Sequence, residues 1–166
     1  MIKQDYKHYG LSIKGLIRGW FTGHGFYAVL YYRIGNWFVR HHIGFLPDYM
    51  RYRGFRRFGS SISSNATIGP GFTLHHTLGI VIGYQVVAGS NFEVFQNVTI
   101  GSNRKPQGDR YMPIIGDNVT IGAGAVVVGA ITIGNNVIIG ANSYVAKDVP
   151  DNVMVAGIPA KIIKHL

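Results

Sequence analysis

Two adjacent histidines are the residues of this chain best suited to chemistry. His75 and His76 lie in the stretch GFTLHHTLGI, among apolar and small neighbours. An imidazole exchanges a proton near neutral pH, so it can act as a general base, and its ring nitrogens also bind metal ions. Two surface imidazoles at a corner of the fold are the third interpretation. The residue types alone leave these uses open.

A metal site is poorly supported by the rest of the chain. A zinc site of the three-histidine type needs more ligands than one histidine pair supplies. The chain has no cysteine, and residues 77–164 contain no histidine. We therefore expect no bound metal.

A six-residue repeat must position the histidines. The repeated positions hold aliphatic or aromatic residues, often followed by glycine, which permits a tight turn. This period predicts an all-β solenoid, a parallel β-helix in which each repeated residue points inward. The thirteen residues are Ile62, Ile68, Leu74, Ile80, Val86, Phe92, Val98, Ile115, Ile121, Val127, Ile133, Ile139 and Val145.

The repeat fails at residues 101–114, in the segment GSNRKPQGDRYMP and its flanks. Pro106, Gly108 and the charged residues predict a solvent-facing loop inserted in the stack. Such a loop is more often functional than not, although an insertion without a role is the alternative.

The N-terminal segment is built differently. Residues 1–59 carry a net charge of +8 and 15 of the 21 aromatic residues. Apolar stripes at helical spacing predict two amphipathic helices, within residues 13–21 and 27–38, with a third basic segment, RYRGFRRFG, leading into the first coil. We thus divide the chain into a helical segment (1–59), a β-helix (60–150) and a capping tail (151–166), the first serving as a short α-helical cap.

Residues 60–166 resemble the hexapeptide-repeat acyltransferases. The resemblance rests on the hexads and on FTLHHTLGIVIG, VTIGS, IIGDNVTIGAGAVVVGAITIGNNVIIGANS and DVPDNVMVAGIPAKII. The chain looks like the serine acetyltransferase branch, and closer still to its offshoot that acetylates bacterial exopolysaccharides, such as colanic acid. The resemblance implies a left-handed parallel β-helix, a homotrimer and acetyl-coenzyme A as donor. Handedness comes from it alone, because strand crossovers are otherwise nearly always right-handed.

The resemblance also assigns site residues. It places the catalytic base, which removes the proton of the acceptor hydroxyl, at His76. Glu93 follows His75 by eighteen residues, one coil on in the family's geometry, so the two are expected to pair, an ordinary solvated carboxylate being the alternative. Support for the acceptor is expected from His75, Glu93, Gln96 and Tyr111, and contacts to acetyl-coenzyme A from Ser102, Ala123, Ala141 and Lys161.

Two departures from the serine acetyltransferase pattern guide the choice of acceptor. Ser61 stands where that branch has an aspartate that orients the histidine, and Tyr111 where it has a further histidine. Both count against free serine. We therefore expect an O-acetyltransferase acting on a sugar hydroxyl of a bacterial surface polysaccharide or its lipid-linked precursor. Serine O-acetylation and a catalytically silent trimeric scaffold are the alternatives.

The basic segment 1–59 suggests where the protein acts. Basic and aromatic helices suit peripheral contact with an anionic membrane, while a cap with merely solvated charges is the alternative. No nucleic-acid motif accompanies the charge, so we expect no nucleic-acid partner. The chain has no cysteine, and its first twenty residues lack an apolar signal region. We expect a cytoplasmic protein, at the inner face of the membrane if residues 1–59 bind lipid.

Overall fold

The chain folds as a three-sided parallel β-helix with helices at its N-terminal end. The computed structural model describes residues 1–9, 12–22 and 25–166. The helices are α1 (Ile2–Tyr9), α2 (Ile13–Thr22), α3 (Gly25–Arg40) and α4 (Leu46–Phe58). The strands are β1 (Ser61–Ile62), β2 (Thr67–Ile68), β3 (Thr73–Leu74), β4 (Val81–Ile82), β5 (Val87–Ala88), β6 (Glu93–Val94), β7 (Thr99–Gly101), β8 (Ile114–Ile115), β9 (Thr120–Ile121), β10 (Val126–Val128), β11 (Thr132–Ile133), β12 (Ile138–Ile139), β13 (Tyr144–Val145), β14 (Val153–Gly157) and β15 (Ala160–His165).

Three sheets form the sides of the solenoid, and each of the first four coils contributes one strand to each sheet. The first sheet is β1-β4-β7-β10-β13, and the second is β2-β5-β8-β11. The third is β3-β6-β9-β12-β14, with β15 added antiparallel at its end. All the other strand pairs among the described residues are parallel, because successive coils run in the same direction.

The core is a narrow stack of the repeated side chains. In a typical strand the first residue faces solvent and the second faces inward, as Thr67 and Ile68 do. All thirteen residues that the repeat singles out are 5% exposed or less. The prediction that they point inward is confirmed.

The first coil is longer than the repeat indicates. Ile62 pairs with Ile82, twenty residues later, whereas Ile121 pairs with Ile139 at eighteen. The two additional residues lie between Leu74 and Ile82, in the segment that carries the histidines. The spacing from Leu74 to Ile80 looks regular only because Ile80 is also buried, two positions before the true counterpart Ile82.

Asparagines form a ladder along one edge of the solenoid, at the turns from the second to the third sheet. Asn91, Asn118, Asn136 and Asn152 all have positive φ, from 53° to 58°, a conformation that asparagine tolerates better than most residues. Each side-chain Nδ2 donates to the Oδ1 of the next asparagine, at 2.8–2.9 Å. We call this edge the asparagine corner.

The N-terminal region has four helices among the described residues: the two predicted ones are confirmed as α2 and α3, and the sequence does not predict α1 and α4. The sequence does not predict helix α1 because its eight residues, IKQDYKHY, are mostly polar and give no apolar stripe. The basic segment RYRGFRRFG leads into the first coil as expected, and it is helical: it forms the C-terminal part of α4, whose C-cap residue Gly59 has the left-handed φ of 68°. The sequence also predicts that Gly23 and Gly25 end the helix over residues 13–21; Gly23 lies outside the described residues, and Gly25 is the first residue of α3.

A buried ion pair fastens these helices to the first coil. Asp5 of α1 is fully buried, and its carboxylate accepts hydrogen bonds from Arg33 Nε at 2.8 Å and Nη2 at 3.0 Å. Its Oδ1 also accepts from the backbone N–H groups of Gly71 and Phe72, at 2.9 and 3.0 Å. Arg33 donates onward to the carbonyl of Ile68. The helices thus close the open end of the solenoid.

Candidate active site

Six of the nine predicted site residues lie along or beside a second edge of the solenoid, where each coil turns from the third sheet to the first. We call this edge the histidine corner. Successive turns are joined by backbone hydrogen bonds, such as Gly124 N to Gln96 O at 2.9 Å. From the first to the fourth coil, these turns carry His75 and His76, then Gln96, then Ala123, then Ala141.

His75 is held by a carboxylate and an aromatic ring. Its Nε2 lies 2.9 Å from Glu93 Oε2, and its ring stacks on Phe95 with 4.2 Å between centroids. An ionised carboxylate only accepts hydrogen bonds, so Glu93 favours the proton on Nε2 and leaves Nδ1 as the acceptor. Both side chains are about one-third exposed, at 37% and 30%. The pair is therefore ordered yet reachable from solvent.

His76 extends into solvent beside this pair. Its side chain is exposed, and it forms no hydrogen bond with the part of the chain that the structure describes. An imidazole in that state is available to a ligand. The structure thus brings His75, His76, Glu93 and Gln96 to one corner, within two adjacent coils.

The helices reach the histidine segment from inside the fold. The hydroxyl of Tyr9 accepts a hydrogen bond from Leu74 N at 2.6 Å and donates to Leu74 O at 3.3 Å. Burial raises the pKa of Tyr9, so the hydroxyl keeps the proton it donates. A Cβ added to Gly25 would collide with the same carbonyl oxygen. Helices α1 and α3 therefore fix the peptide that directly precedes His75.

Three residues that support the histidines were missed from the sequence. Tyr9 and Gly25 lie 65 and 49 positions before Leu74, and no local pattern signals a contact over such a distance. Phe95 did carry a signal. It follows the inward Val94, so the alternation of a strand turns its ring outward, beside Gln96.

Gln96 has an unsatisfied buried oxygen. Its Oε1 is buried and has no hydrogen-bond partner among the described residues. Buried polar atoms are seldom left without a partner, so such an atom is suited to accept a hydrogen bond from a ligand or from another chain. Its position, one coil from the histidines, makes it part of the same candidate site.

Ser102 and Tyr111 lie elsewhere, in the loop of residues 102–113 that joins β7 of the first sheet to β8 of the second. We call this third edge the loop corner. Ser102 Oγ accepts from Arg104 N at 2.8 Å, and Tyr111 is 40% exposed. Arg110 anchors the loop by donating to the carbonyl of Ala130 at 2.6 Å. Within one chain, the structure does not bring these two residues to the histidines.

Lys161 and Ser61 mark two further positions. Lys161 is exposed on β15 and lines an open groove of about 360 Å³ at the last coil, together with Tyr144 and Pro159. Ser61 lies in β1, paired with Val81. A serine hydroxyl there cannot supply the charge of a carboxylate, and the carboxylate that the structure places beside a histidine is Glu93.

No cluster of three metal-ligating side chains occurs within residues 1–9, 12–22 and 25–166. The groups that the histidine corner offers for chemistry are two imidazoles, one carboxylate and one amide oxygen.

The chain is similar to known proteins over most of its length. Residues 112–147 match the family of bacterial transferase hexapeptides (six repeats). A serine acetyltransferase of Synechococcus elongatus is 37% identical over 84% of this chain and 57% of its own. A serine acetyltransferase of Brucella abortus, solved with coenzyme A, is 38% identical with a TM-score of 0.80, over 85% of this chain and 56% of that one. The Neisseria gonorrhoeae enzyme, solved with serine, is 36% identical with a TM-score of 0.78, over 84% and 57%.

These likenesses correct one prediction and support others. The expected closeness to the exopolysaccharide acetyltransferases is not supported, and the prediction of a sugar acceptor is wrong, because these relatives are serine acetyltransferases. For the choice of acceptor, the departures at Ser61 and Tyr111 weigh less than the similarity of the rest of the sequence. The repeats and the solved structures imply a left-handed β-helix, as the resemblance did.

The chain spans little more than half the length of these relatives, 57% of the Synechococcus protein and 56% of the Brucella one. Within that span the chain carries hexapeptide repeats of the bacterial transferase type, and it is serine acetyltransferase-like in sequence and in fold.

Proposed function

We propose that this protein is an acetyl-coenzyme A dependent serine O-acetyltransferase. The observation that carries the proposal is the histidine corner, where an exposed imidazole lies next to a carboxylate-bound one on a chain 36–38% identical to proteins solved with serine and with coenzyme A. The reaction transfers an acetyl group from the thioester sulfur to the hydroxyl oxygen of the amino acid. It needs a base for the hydroxyl proton and a site that holds both substrates in line.

His76 is the general base of this mechanism. Its exposed ring can reach a bound acceptor, and an imidazole nitrogen can accept the hydroxyl proton. It takes the proton as the hydroxyl oxygen attacks the thioester carbon, and it returns that proton to the departing thiolate. Transfer is direct in this proposal, because the chain has no cysteine that could carry the acetyl group.

His75, Glu93 and Gln96 form the acceptor side of the site. Serine carries an ammonium, a carboxylate and a hydroxyl, so it needs both hydrogen-bond donors and acceptors. The His75–Glu93 pair offers both kinds of group, and the unsatisfied Oε1 of Gln96 offers an acceptor. Glu93 also supplies a carboxylate next to the histidines, which Ser61 does not.

The donor site requires more than one chain. Ala123 and Ala141 follow the histidine corner, where small side chains let an extended ligand lie close to the backbone. Ser102, expected to contact the donor, lies on the loop corner, a different edge of the same chain. Tyr111, expected to support the acceptor, lies on the same corner. A homotrimer, as the resemblance implies, would place the loop corner of one chain beside the histidine corner of the next. Acetyl-coenzyme A then lies between subunits, with Lys161 near its phosphates. The reaction takes place in the cytoplasm in this proposal.

The test measures release of free coenzyme A from acetyl-coenzyme A. We expect release with L-serine well above the rate with L-threonine or with no acceptor. His76→Ala should slow turnover by about 10²- to 10⁴-fold, the usual contribution of general base catalysis. His165→Ala, which removes an exposed histidine from β15, is the matched control and should retain the rate.

Binding of acetyl-coenzyme A, measured by calorimetry, separates the two halves of the proposal. If acetyl-coenzyme A binds but L-serine does not increase the release of coenzyme A, serine is disproved as the acceptor while acetyl-coenzyme A stays as the donor. If the chain neither binds acetyl-coenzyme A nor releases coenzyme A from it, the alternative of a silent scaffold remains. An unchanged rate in His76→Ala would remove that residue from the mechanism.

A further inference from the structure

Helix α4 presents an aromatic face to solvent. Its opposite face, with Gly54 and Phe58, is buried against α3 and the first coil. The outward face begins at the N-cap residue and carries four rings at helical spacing, all of them largely exposed. They are Phe45 at 76%, Tyr49 at 45%, Tyr52 at 55% and Phe55 at 54%. A monomeric soluble surface seldom exposes so many large rings in one stripe.

Arginines flank this stripe. Helix α4 has four of them, Arg51, Arg53, Arg56 and Arg57, against the single acid Asp48. The guanidinium carbon of Arg53 lies 6.0 Å from the centre of the Tyr49 ring, and that of Arg56 lies 5.9 Å from the Tyr52 ring. Of these four arginines, only Arg51 has a carboxylate within 4 Å in the described part of the chain, that of Asp48 at 3.7 Å. The positive charge of the face is therefore almost uncompensated.

Three of the arginines share a hollow. Arg53, Arg56 and Arg57 line an open space of about 420 Å³, together with Tyr52. Arg57 also donates to the carbonyl of Trp20 and lies over its ring, at 4.0 Å, so this guanidinium is fixed in place. Guanidinium groups bind phosphate oxygens with paired hydrogen bonds, and no acidic side chain lines the hollow to oppose an anion.

We propose that α4 docks the protein on the surface of an anionic lipid bilayer. The four rings enter the headgroup layer, where aromatic side chains are favoured, and the hollow receives a lipid phosphate. No helix in residues 1–9, 12–22 and 25–166 is long and apolar enough to span a bilayer. With 13 residues, α4 is suited to lie in the interface plane instead.

Charge selects the bilayer over a second copy of the chain. If two α4 faces met, four arginines of one copy would face four of the other with one acid each, and like charges across an interface are repulsive. An anionic lipid surface attracts the same arginines, and that attraction falls with salt. The Phe45 and Phe55 rings have no hydrogen-bonding groups, which suits them to the acyl boundary of a bilayer.

The experiment is flotation of the full chain with vesicles. We expect binding to vesicles of phosphatidylcholine mixed with phosphatidylglycerol, little binding to phosphatidylcholine alone, and release at high salt. The variant Arg53→Gln/Arg56→Gln should lower the partition coefficient about thirtyfold, which is the effect of two surface cations. Its matched control, Lys147→Gln/Lys164→Gln, removes the same charge from the other end of the solenoid and should bind as the parent does.

A second pair of variants tests the rings. Phe45→Ser/Tyr52→Ser should lose binding, whereas Tyr84→Ser/Ile163→Ser, which removes side chains 51% and 58% exposed elsewhere, should not. Serine-dependent release of coenzyme A should be the same in the two α4 variants as in the parent, since none of their residues belongs to the candidate active site. Failure of this proposal is thus separate from failure of the proposed function.

Three results would overturn the proposal. One is absence of binding to the anionic vesicles, and another is equal loss of binding in the control variants. The third is a change of oligomeric state in Phe45→Ser/Tyr52→Ser, measured by light scattering without lipid, which would make this face an interface between copies. If a low concentration of single-stranded RNA or of free inorganic phosphate abolishes binding to the vesicles, that result also contradicts a lipid ligand.

Discussion

Glu93 Oε2 lies 2.9 Å from His75 Nε2, although the two residues belong to adjacent coils. By strand register Glu93 is opposite Thr73, and His75 N donates to Val94 O, so His75 lies two positions along from Glu93 and next to Phe95. The His75 ring stacks on Phe95 and reaches back to the Glu93 carboxylate. The carboxylate–imidazole pair is thus a diagonal contact between two coils.

The first prediction is that His75 and Glu93 act as one unit. His75→Ala and Glu93→Gln should each lower kcat/KM for serine by about 10- to 100-fold, because hydrogen bonds to charged groups contribute roughly 1.5–3 kcal/mol. The double variant should lose no more than the worse single variant. The KM for acetyl-coenzyme A should stay the same. Losses that multiply in the double variant would show that the two side chains work independently.

The second prediction concerns the buried pair of Asp5 and Arg33. Their side chains are 1% and 4% exposed, so removing one leaves the other as an uncompensated buried charge. Asp5→Ala or Arg33→Met should lower the free energy of unfolding by about 3–5 kcal/mol, measured by urea denaturation. The double variant should be less unstable than the sum of the two. The exposed pair Arg51 and Asp48 is the control, and Asp48→Ala should cost at most about 1 kcal/mol.

The third prediction is a pH dependence of stability from Tyr9. Burial raises the pKa of this phenol above its ordinary value, so the folded chain retains a proton that the unfolded chain releases above about pH 10. The contribution of Tyr9 to stability is therefore complete below that pH and is lost as the pH rises through the folded-state pKa.

Tyr9→Phe tests this slope by urea denaturation at a series of pH values. The variant should show a weaker fall of the unfolding free energy above about pH 10 than the parent does. Burial also raises the pKa of Tyr32, so Tyr9→Phe/Tyr32→Phe should give the weakest fall. Parallel curves for parent and variants would contradict the assignment.

The fourth prediction compares two glycines in helices. A Cβ at Gly25 would collide with Leu74 O, whereas a Cβ at Gly54 would meet only Tyr31 Cβ at 3.7 Å, an ordinary contact. Gly54→Ala should therefore stabilise the protein by up to about 1 kcal/mol through helix propensity. Gly25→Ala should destabilise it and shift the amide signals of His75 and His76 in NMR spectra. Equal effects of the two substitutions would mean that α3 does not press on the histidine segment.

The fifth prediction separates the two roles of an asparagine in the ladder. Asn118 has φ of 56° and exchanges amide hydrogen bonds with Asn91 and Asn136. Asn118→Gly keeps the backbone conformation but loses both bonds, and should cost about 2 kcal/mol in unfolding free energy. Asn118→Ala adds the strain of a left-handed backbone and should cost about 1 kcal/mol more. If glycine and alanine cost the same, the backbone conformation contributes nothing.

Much of the solenoid could be predicted because its order is local. A period of six needs only neighbouring residues, and it places Ile121 or Ile139 inward without knowledge of the rest of the fold. The same period places Ala123 and Ala141 at equivalent turns, each two residues after an inward isoleucine. It did not reveal the longer first coil, because Ile80 continues the spacing while belonging to a different inward row.

The remaining features depend on contacts distant in sequence. Nothing near Asp5 indicates that its carboxylate binds Gly71, and nothing near Tyr9 indicates Leu74. The acceptor was judged from two positions, Ser61 and Tyr111. Only Ser61 lies in the same coil as the histidines, and Tyr111 lies on another corner of the chain. The loss of one carboxylate from a pattern carries less weight when the fold supplies another at Glu93.

The bond from Asp5 to Gly71 and Phe72 also constrains the order of folding. These partners are separated by 66 and 67 residues, so α1 leaves the ribosome long before its binding site exists. Non-local contacts of this kind slow folding, because the long loop must close before they form. The helices and the first coil should therefore become native together, as one cooperative unit on which later coils add in sequence. A nascent chain halted before Phe72 would have made Asp5 and Arg33 but not the coil to which both are fastened.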